Sequence, residues 1–163
     1  MIKVLFVCLG NICRSPLAEG IFKNQVRIKG LTNQIECDSA GTSSYHAGAD
    51  PDPRSCSTAQ KYEIILDHRA RQIIKKDFEA FDYILAMDQS NYDFILKMKV
   101  EEHIGSKVFL MRKFDAILKD GLDVPDPYFG GIDGFEYVYE MLLRSSENFL
   151  NYIIKEHKLH ANQ

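Results

Sequence analysis

No stretch of this 163-residue chain stays apolar for the ~20 residues that a membrane-spanning helix needs. Met1 to Val7 is too short for the core of a secretory signal. A cytoplasmic location without membrane contact is therefore expected. Cationic excess is lacking too: 20 Lys and Arg face 23 Asp and Glu, a formal charge of -3. That excludes broad electrostatic attraction to nucleic acid or anionic lipid, so an anionic substrate would need a local positive site. The four cysteines, Cys8, Cys13, Cys37 and Cys56, form no C-x-x-C pair and have no histidines at zinc-site spacing. A disulfide framework does not suit a chain of this length without an export signal. Cys37 and Cys56 read as small buried or half-buried hydrophobes. Internal repeats, low-complexity tracts and linkers are missing as well. With 45% hydrophobic and 26% charged residues, residues 1–163 are expected to form one globular domain.

What is present is an alternation of strand and helix patterns. Ile2 to Val7 is a continuous apolar run, read as a strand buried on both faces. Ser15-Pro16 starts a helix with apolar residues at Leu17, Ile21, Phe22 and Val26, and Glu19 is expected near its positive end. Ile35 to Ser39 reads as a second strand, and Ala40 to Arg54, rich in Gly, Ser, Asp and Pro, as a long surface loop. Ser55 to Lys76 reads as helical with breaks, Tyr83 to Met87 as a buried strand and Gln89 to Lys99 as a helix. Lys107 to Met111 makes a fourth strand, and Ile117 to Gly131 a loop. Asp133 and Glu136 resemble a capping box opening a long helix with the stripe Phe135, Val138, Leu142, Phe149 and Ile153. This order predicts an α/β fold: an open, four-stranded parallel sheet with helices on both faces. Ligands of such folds sit beyond the carboxyl ends of the strands, where Cys8 falls.

The segment Val7-Cys8-Leu9-Gly10-Asn11-Ile12-Cys13-Arg14-Ser15-Pro16 carries the chemistry. A strand delivers a thiol to the mouth of a loop whose backbone N–H groups can converge on an anion. Gly10 lets the backbone turn, and Asn11 tolerates left-handed geometry and can brace the loop. Arg14 can grip two oxygens of the anion with its planar fork, and the helix starting at Ser15-Pro16 turns its positive end into the loop. These groups are expected to draw the Cys8 pKa below its free value of about 8.5, giving a thiolate nucleophile for phosphate-ester cleavage. Such a reaction also needs a proton donor for the departing oxygen. Asp126, between Pro125 and Pro127, is stiffly held and could serve, although an Asp between prolines also suits a plain turn. Tyr45 and Tyr128, with Leu9 and Ile12, read as walls for an aromatic ring, or in Tyr45's case as an ordinary surface aromatic.

The segment V-C-L-G-N-I-C-R-S-P resembles the low-molecular-weight protein tyrosine phosphatases. The likeness extends through Asp38-Ser39-Ala40-Gly41-Thr42, Phe81 to Asp88, and Asp126-Pro127-Tyr128. It implies a flavodoxin-like three-layer fold, Cys8 as nucleophile, Arg14 as phosphate clamp and Asp126 as general acid and base. It implies a phosphate-binding loop of Leu9, Gly10, Asn11, Ile12, Cys13, Arg14 and Ser15. Ser15 would donate to the thiolate, and Asn11, Ser39 and His68 would brace the loop. By the same resemblance, Cys13 could form a reversible disulfide with Cys8, the alternative being a packed thiol. Phe129 departs from the tandem tyrosines of many eukaryotic relatives, which removes one possible phosphorylation site.

Four rivals share parts of this pattern. A thioredoxin-linked arsenate reductase of the same scaffold would need relay cysteines, and none follows Cys56. A phosphocysteine phosphocarrier would need neither Arg14 nor Asp126, and a dead phosphate-binding module would be expected to lose Cys8 or Asp126. Protein-arginine phosphatases typically carry threonine where Ile12 stands. The expected partners are phosphotyrosine-containing proteins, with inorganic phosphate and other oxyanions as inhibitors. The expected oligomeric state is a monomer or weak dimer. No cofactor and no metal are called for, because Arg14 and the loop amides already meet the dianion's charge.

Overall fold

Val4, Leu5, Phe6 and Val7 are all fully buried because β1 (Ile2–Cys8) is an interior strand with helices over both of its faces. A computed structural model of the chain describes residues 1–99 and 105–161. The sheet adds β2 (Ile35–Gly41), β3 (Tyr83–Ala86) and β4 (Lys107–Leu110) in the order β2-β1-β3-β4, with every pair parallel. The α/β architecture read from the sequence is the one observed. On one face, α1 (Arg14–Ile28), α2 (Pro53–Gln60) and α5 (Ile132–His157) enclose a core containing Phe6, Phe22, Tyr83, Leu142 and Phe149. On the other, α3 (Asp77–Ala80) and α4 (Gln89–Met98) cover Leu5, Val7, Ile73, Phe78, Ile84 and Ile95. Even-numbered and odd-numbered positions of β1 thus feed two separate cores, which is why its run shows no polar alternation.

Four local expectations are corrected. Ser55 to Lys76 is not a broken helix. α2 ends at Gln60, Glu63 turns left-handed at φ 60°, and the chain continues without regular structure to an isolated parallel bridge between Gly41 and Gln72. Ile64, Ala70 and Ile73 are single apolar anchors along that path, and their spacing imitates helical periodicity. The loop after β2 is shorter and less superficial than expected, because β2 continues to Gly41 and Thr42 and Asp52 are buried. Asp133 and Glu136 make no capping box: Gly131 caps α5 without a side-chain bond, and Glu136 instead accepts from Lys61 and Tyr62 at 2.7 and 2.9 Å. Glu19 lies beyond the first turn of α1, which begins at Arg14, and its carboxylate is held by Ser39 and Lys23 rather than by the helix end.

The site is positioned by the junctions at the carboxyl edge. Thr42 N–H donates to the Cys8 carbonyl at 2.9 Å and Ser43 N–H to that of Leu9 at 3.0 Å, so the loop after β1 is stitched to the end of β2. Gly41 is required there: a Cβ would meet the Leu9 carbonyl oxygen at 2.7 Å. On the other side, Met87 N–H donates to Val7 and Val124 N–H to Met87, at 3.0 and 2.8 Å. Those bonds draw the distant 117–131 segment to the same edge.

Candidate active site

Cys8 ends β1 and is only 2% exposed. The backbone then turns through Asn11, whose φ of 56° is left-handed, and enters α1 at Arg14. Asparagine adopts that geometry more readily than most residues because its short side chain can bond locally. Gly10 is not left-handed, so its use differs from the expected one. Its missing Cβ leaves room for the His46 ring, whose Cδ2 would lie 3.0 Å from a methyl placed there. Asn11 N–H donates to the Cys8 sulfur at 3.3 Å. Among the described residues, no protein acceptor answers the N–H groups of Gly10, Ile12, Cys13, Arg14 or Ser15. Buried amides are almost always paired, and helix N-termini favour negative charge, so this run of unanswered donors can receive an anion.

Asn11 also holds the loop's shape. Its Oδ1 accepts from Arg71 N–H at 3.0 Å and from His68 Nε2 at 2.7 Å. Because a backbone N–H can only donate, this fixes the amide orientation and makes His68 Nε2 the donor. Asn11 Nδ2 then donates to Ser15 Oγ at 2.8 Å and to Ser39 Oγ at 3.0 Å. The Ser15 hydroxyl proton is left with the Cys8 sulfur at 3.0 Å or the Ala40 carbonyl at 3.3 Å. Ser39 donates onward to Glu19 at 2.7 Å. Asn11, Ser15, Ser39 and His68 are thus brought together with the thiol.

Arg14 is almost wholly buried, and Asp88 and the Val124 carbonyl accept from its Nη1 at 2.7 and 3.0 Å. Its Nη2 lies 3.5 Å from Asp126 Oδ2. Burial opposes its charge, but the negative fields of Cys8, Asp88 and Asp126 outweigh that and push its pKa up from the ordinary value. Asp88 does two jobs, capping α4 by accepting Asn91 N–H at 2.8 Å while holding Arg14. Asp126 arrives on the loop before α5, and its Oδ1 accepts Tyr128 N–H at 3.0 Å.

Above the thiol opens a cavity of about 420 Å³ lined by Leu9, Ile12, Tyr45, Tyr128, Phe129 and others, with Cys8, Cys13, Arg14 and Asp126 reaching it. Its size is that of an ordinary small-ligand site. Tyr45 and Tyr128 both line it, and His46 stands between them with ring centroids 4.8 and 6.4 Å away. Cys13 packs beside Ile12, Ala70 and Phe135. Burial first, then the charge of Asp52, pushes its thiol pKa well up, so Cys13 stays protonated near neutral pH.

Sequence reasoning missed Asp88, Glu19, His46 and Phe129 as site residues. Asp88 had a signal, since an aspartate just ahead of a helix is a cap with a second oxygen to spare. His46 and Glu19 had none, because their roles depend on partners far along the chain. Glu19, Asp38 and His68 bring possible ligand atoms within 4.8 Å of one another. Their oxygens already serve Ser39, Lys23 and Arg71, and the group needs no ion.

A family model described as low molecular weight phosphotyrosine protein phosphatase matches residues 3–159. A low molecular weight phosphotyrosine protein phosphatase of Schizosaccharomyces pombe is 45% identical over 155 residues, covering 93% of this chain and 97% of that protein. The crystal structure of a protein tyrosine phosphatase from Entamoeba histolytica with Hepes in its active site superposes with a TM-score of 0.90 at 42% identity. It covers 98% of this chain and 100% of that one. A Drosophila arginine phosphatase superposes with a TM-score of 0.88 at 36% identity, over 93% of this chain and 97% of that one.

Proposed function

The chain belongs to the low molecular weight phosphotyrosine protein phosphatase family, and we propose that it hydrolyses phosphotyrosine and small aryl phosphates through a phosphocysteine. One observation carries this reading: beside a buried thiol that receives Asn11 N–H and faces Ser15, a run of loop N–H groups has no protein acceptor among the described residues. The cradle takes the phosphoryl oxygens, and Arg14, whose firm bonds leave from Nη1, offers Nη2 and Nε to two of them. The Cys8 thiolate attacks phosphorus. An S–P bond forms, the P–O ester bond breaks, and its electron pair leaves with the phenolic oxygen, which takes a proton from Asp126. Asp126, now a carboxylate, then accepts a proton from water as that water attacks phosphorus. The S–P bond breaks and inorganic phosphate and the thiolate result. The same donors stabilise the charge of both transition states, so no metal is required by this scheme.

Selectivity follows from reach. The sulfur lies at the base of a cavity walled by Tyr45, Tyr128, Leu9 and Ile12, which suits the length and ring of phosphotyrosine. Phosphoarginine is the second reading, favoured by the Drosophila neighbour; Ile12, where such enzymes typically carry threonine, argues against it. Peptides of one sequence carrying phosphotyrosine, phosphoserine or phosphoarginine test the choice. Phosphotyrosine is expected to give the highest kcat/KM, and an equal or higher value for either competitor would contradict the assignment. The matched span supports reading residues 1–163 as one phosphatase domain acting on phosphotyrosine-containing proteins. No described helix is long and apolar enough to cross a membrane, and the cytoplasm is the location we propose.

A further inference from the structure

Arg54 touches both halves of the site without lining its cavity. It sits in the first turn of α2, where its Nε and Nη2 grip the Asp52 carboxylate at 3.0 and 2.9 Å. Asp52 caps α2 by accepting Arg54 N–H, and its own N–H donates to the Ile12 carbonyl of the cradle at 2.7 Å. The third arm of the fork points the other way: Arg54 Nη1 donates to the Tyr128 carbonyl at 3.0 Å. The guanidinium lies 4.7 Å from the centre of the Phe135 ring and 5.4 Å from that of Tyr128. Tyr128 is the residue whose N–H holds Asp126 Oδ1. Among the described residues, no other group distant in sequence makes a hydrogen bond to the backbone of 125–131.

We propose that Arg54 is a positioning residue for the general acid, holding the Asp126 carboxyl over the cradle through the backbone of Tyr128. This rests on the reading of Asp126 given above and adds the residue that sets its place. The role needs arginine chemistry. A planar fork can bind a carboxylate along one edge, a carbonyl with a second, and stack on a ring with its face. The Asp52 pair is partly exposed and screened, so its share in overall stability is small. Misplacing an acid by about an ångström, by contrast, can slow proton transfer by up to ~100-fold.

The test compares Arg54→Met, Arg54→Lys and Asp126→Ala with the parent chain on aryl phosphates whose phenols span a wide range of acidity. Values of kcat/KM, which report the step that expels the phenol, are read beside the inhibition constant of orthophosphate. Arg54→Met is expected to lose about 10-fold on the least acidic phenols and under about 2-fold on the most acidic, with orthophosphate inhibition unchanged. Arg54→Lys, which can reach Asp52 or the Tyr128 carbonyl but not both, should show the same trend at smaller size, and it serves if the Met variant does not fold. A uniform loss across the phenols, a parallel weakening of orthophosphate, or no loss would overturn the inference while leaving Asp126 its role. A loss for Asp126→Ala that ignores the leaving group would instead overturn the acid assignment itself.

Discussion

The cradle and the acid loop meet at one guanidinium but are held in opposite ways. Residues 8–15 join an interior strand to a packed helix, so both ends of the turn are anchored in the main core, and Asn11 bonds across it in four directions. The 125–131 segment is mostly exposed, Phe129 to 93%, with Pro127 alone buried, and its long-range hydrogen bonds come through Val124 at one end and Arg54 in the middle, with Arg14 reaching Asp126. The division fits the proposed chemistry. A dianion needs donors fixed before it arrives, since reorganising them would consume the stabilisation they give. A proton donor serves two successive partners, a phenol and then a water, and is supplied by a separate chain segment aimed from outside.

The comparison can be broken most severely at the sulfur. Cys8→Ser is expected to lower kcat by roughly 10⁴-fold or more, while orthophosphate binding measured by calorimetry stays within a few-fold, since the N–H donors remain. Loss of phosphate binding along with turnover would mean that the cradle does not exist without the thiol. Next in size is Asp126→Ala, which should cost about 10²- to 10³-fold in kcat/KM for phosphotyrosine peptide and much less for an aryl phosphate with a strongly acidic phenol. Asn11 sharpens the contrast. Asn11→Gly keeps the left-handed turn but loses the bonds to Ser15, Ser39, His68 and Arg71, and about 10-fold in kcat is expected. Asn11→Ala adds backbone strain of roughly 1 kcal/mol and should melt several degrees lower than Asn11→Gly. Equal melting temperatures for the two would remove the strain argument.

The smallest effect concerns pH. Burial foremost, with Asp52 at Cys13 and Glu19 at Cys37, pushes both thiol pKa values up from the ordinary thiol range. The folded chain therefore keeps these protons after the unfolded chain begins to lose them. The stability is fully present below the unfolded thiol pKa and declines as pH rises past about 9. Thermal melts should fall from pH 9 upward, and Cys37→Ala should flatten that fall without altering activity at neutral pH. A slope unchanged by the substitution would contradict the burial argument.

How far the sequence could be read follows the same division. The cradle was legible because its parts are consecutive: an apolar strand, a thiol, a turn and a helix start are local patterns. Asn11 read as a brace, but its partners were not legible in the local pattern, since Ser39, His68 and Arg71 reach it from 28, 57 and 60 residues away; the resemblance supplied the first two. Arg14 meets Asp88 and Asp126 across 74 and 112 residues, so the residues alone left Asp126 open between proton donor and plain turn, and the family resemblance favoured the donor. The stretch from Lys61 to Lys76 was misread because its buried side chains are isolated anchors. Local propensity carries no information about the sheet edge and the Asn11 amide that the segment must reach. Arg54 went unremarked although Pro51-Asp52-Pro53-Arg54 spells a helix start with its cap and first-turn proline. The partner that gives it meaning lies 74 residues on.

The most direct test of the cradle as a phosphoryl site is mass spectrometry of the chain quenched in acid during turnover of an aryl phosphate. The account predicts a phosphoryl adduct on the peptide carrying Cys8, absent from Cys8→Ser and lost as substrate runs out. Steady turnover with no adduct on that peptide, or with the phosphoryl group on another residue, would contradict it.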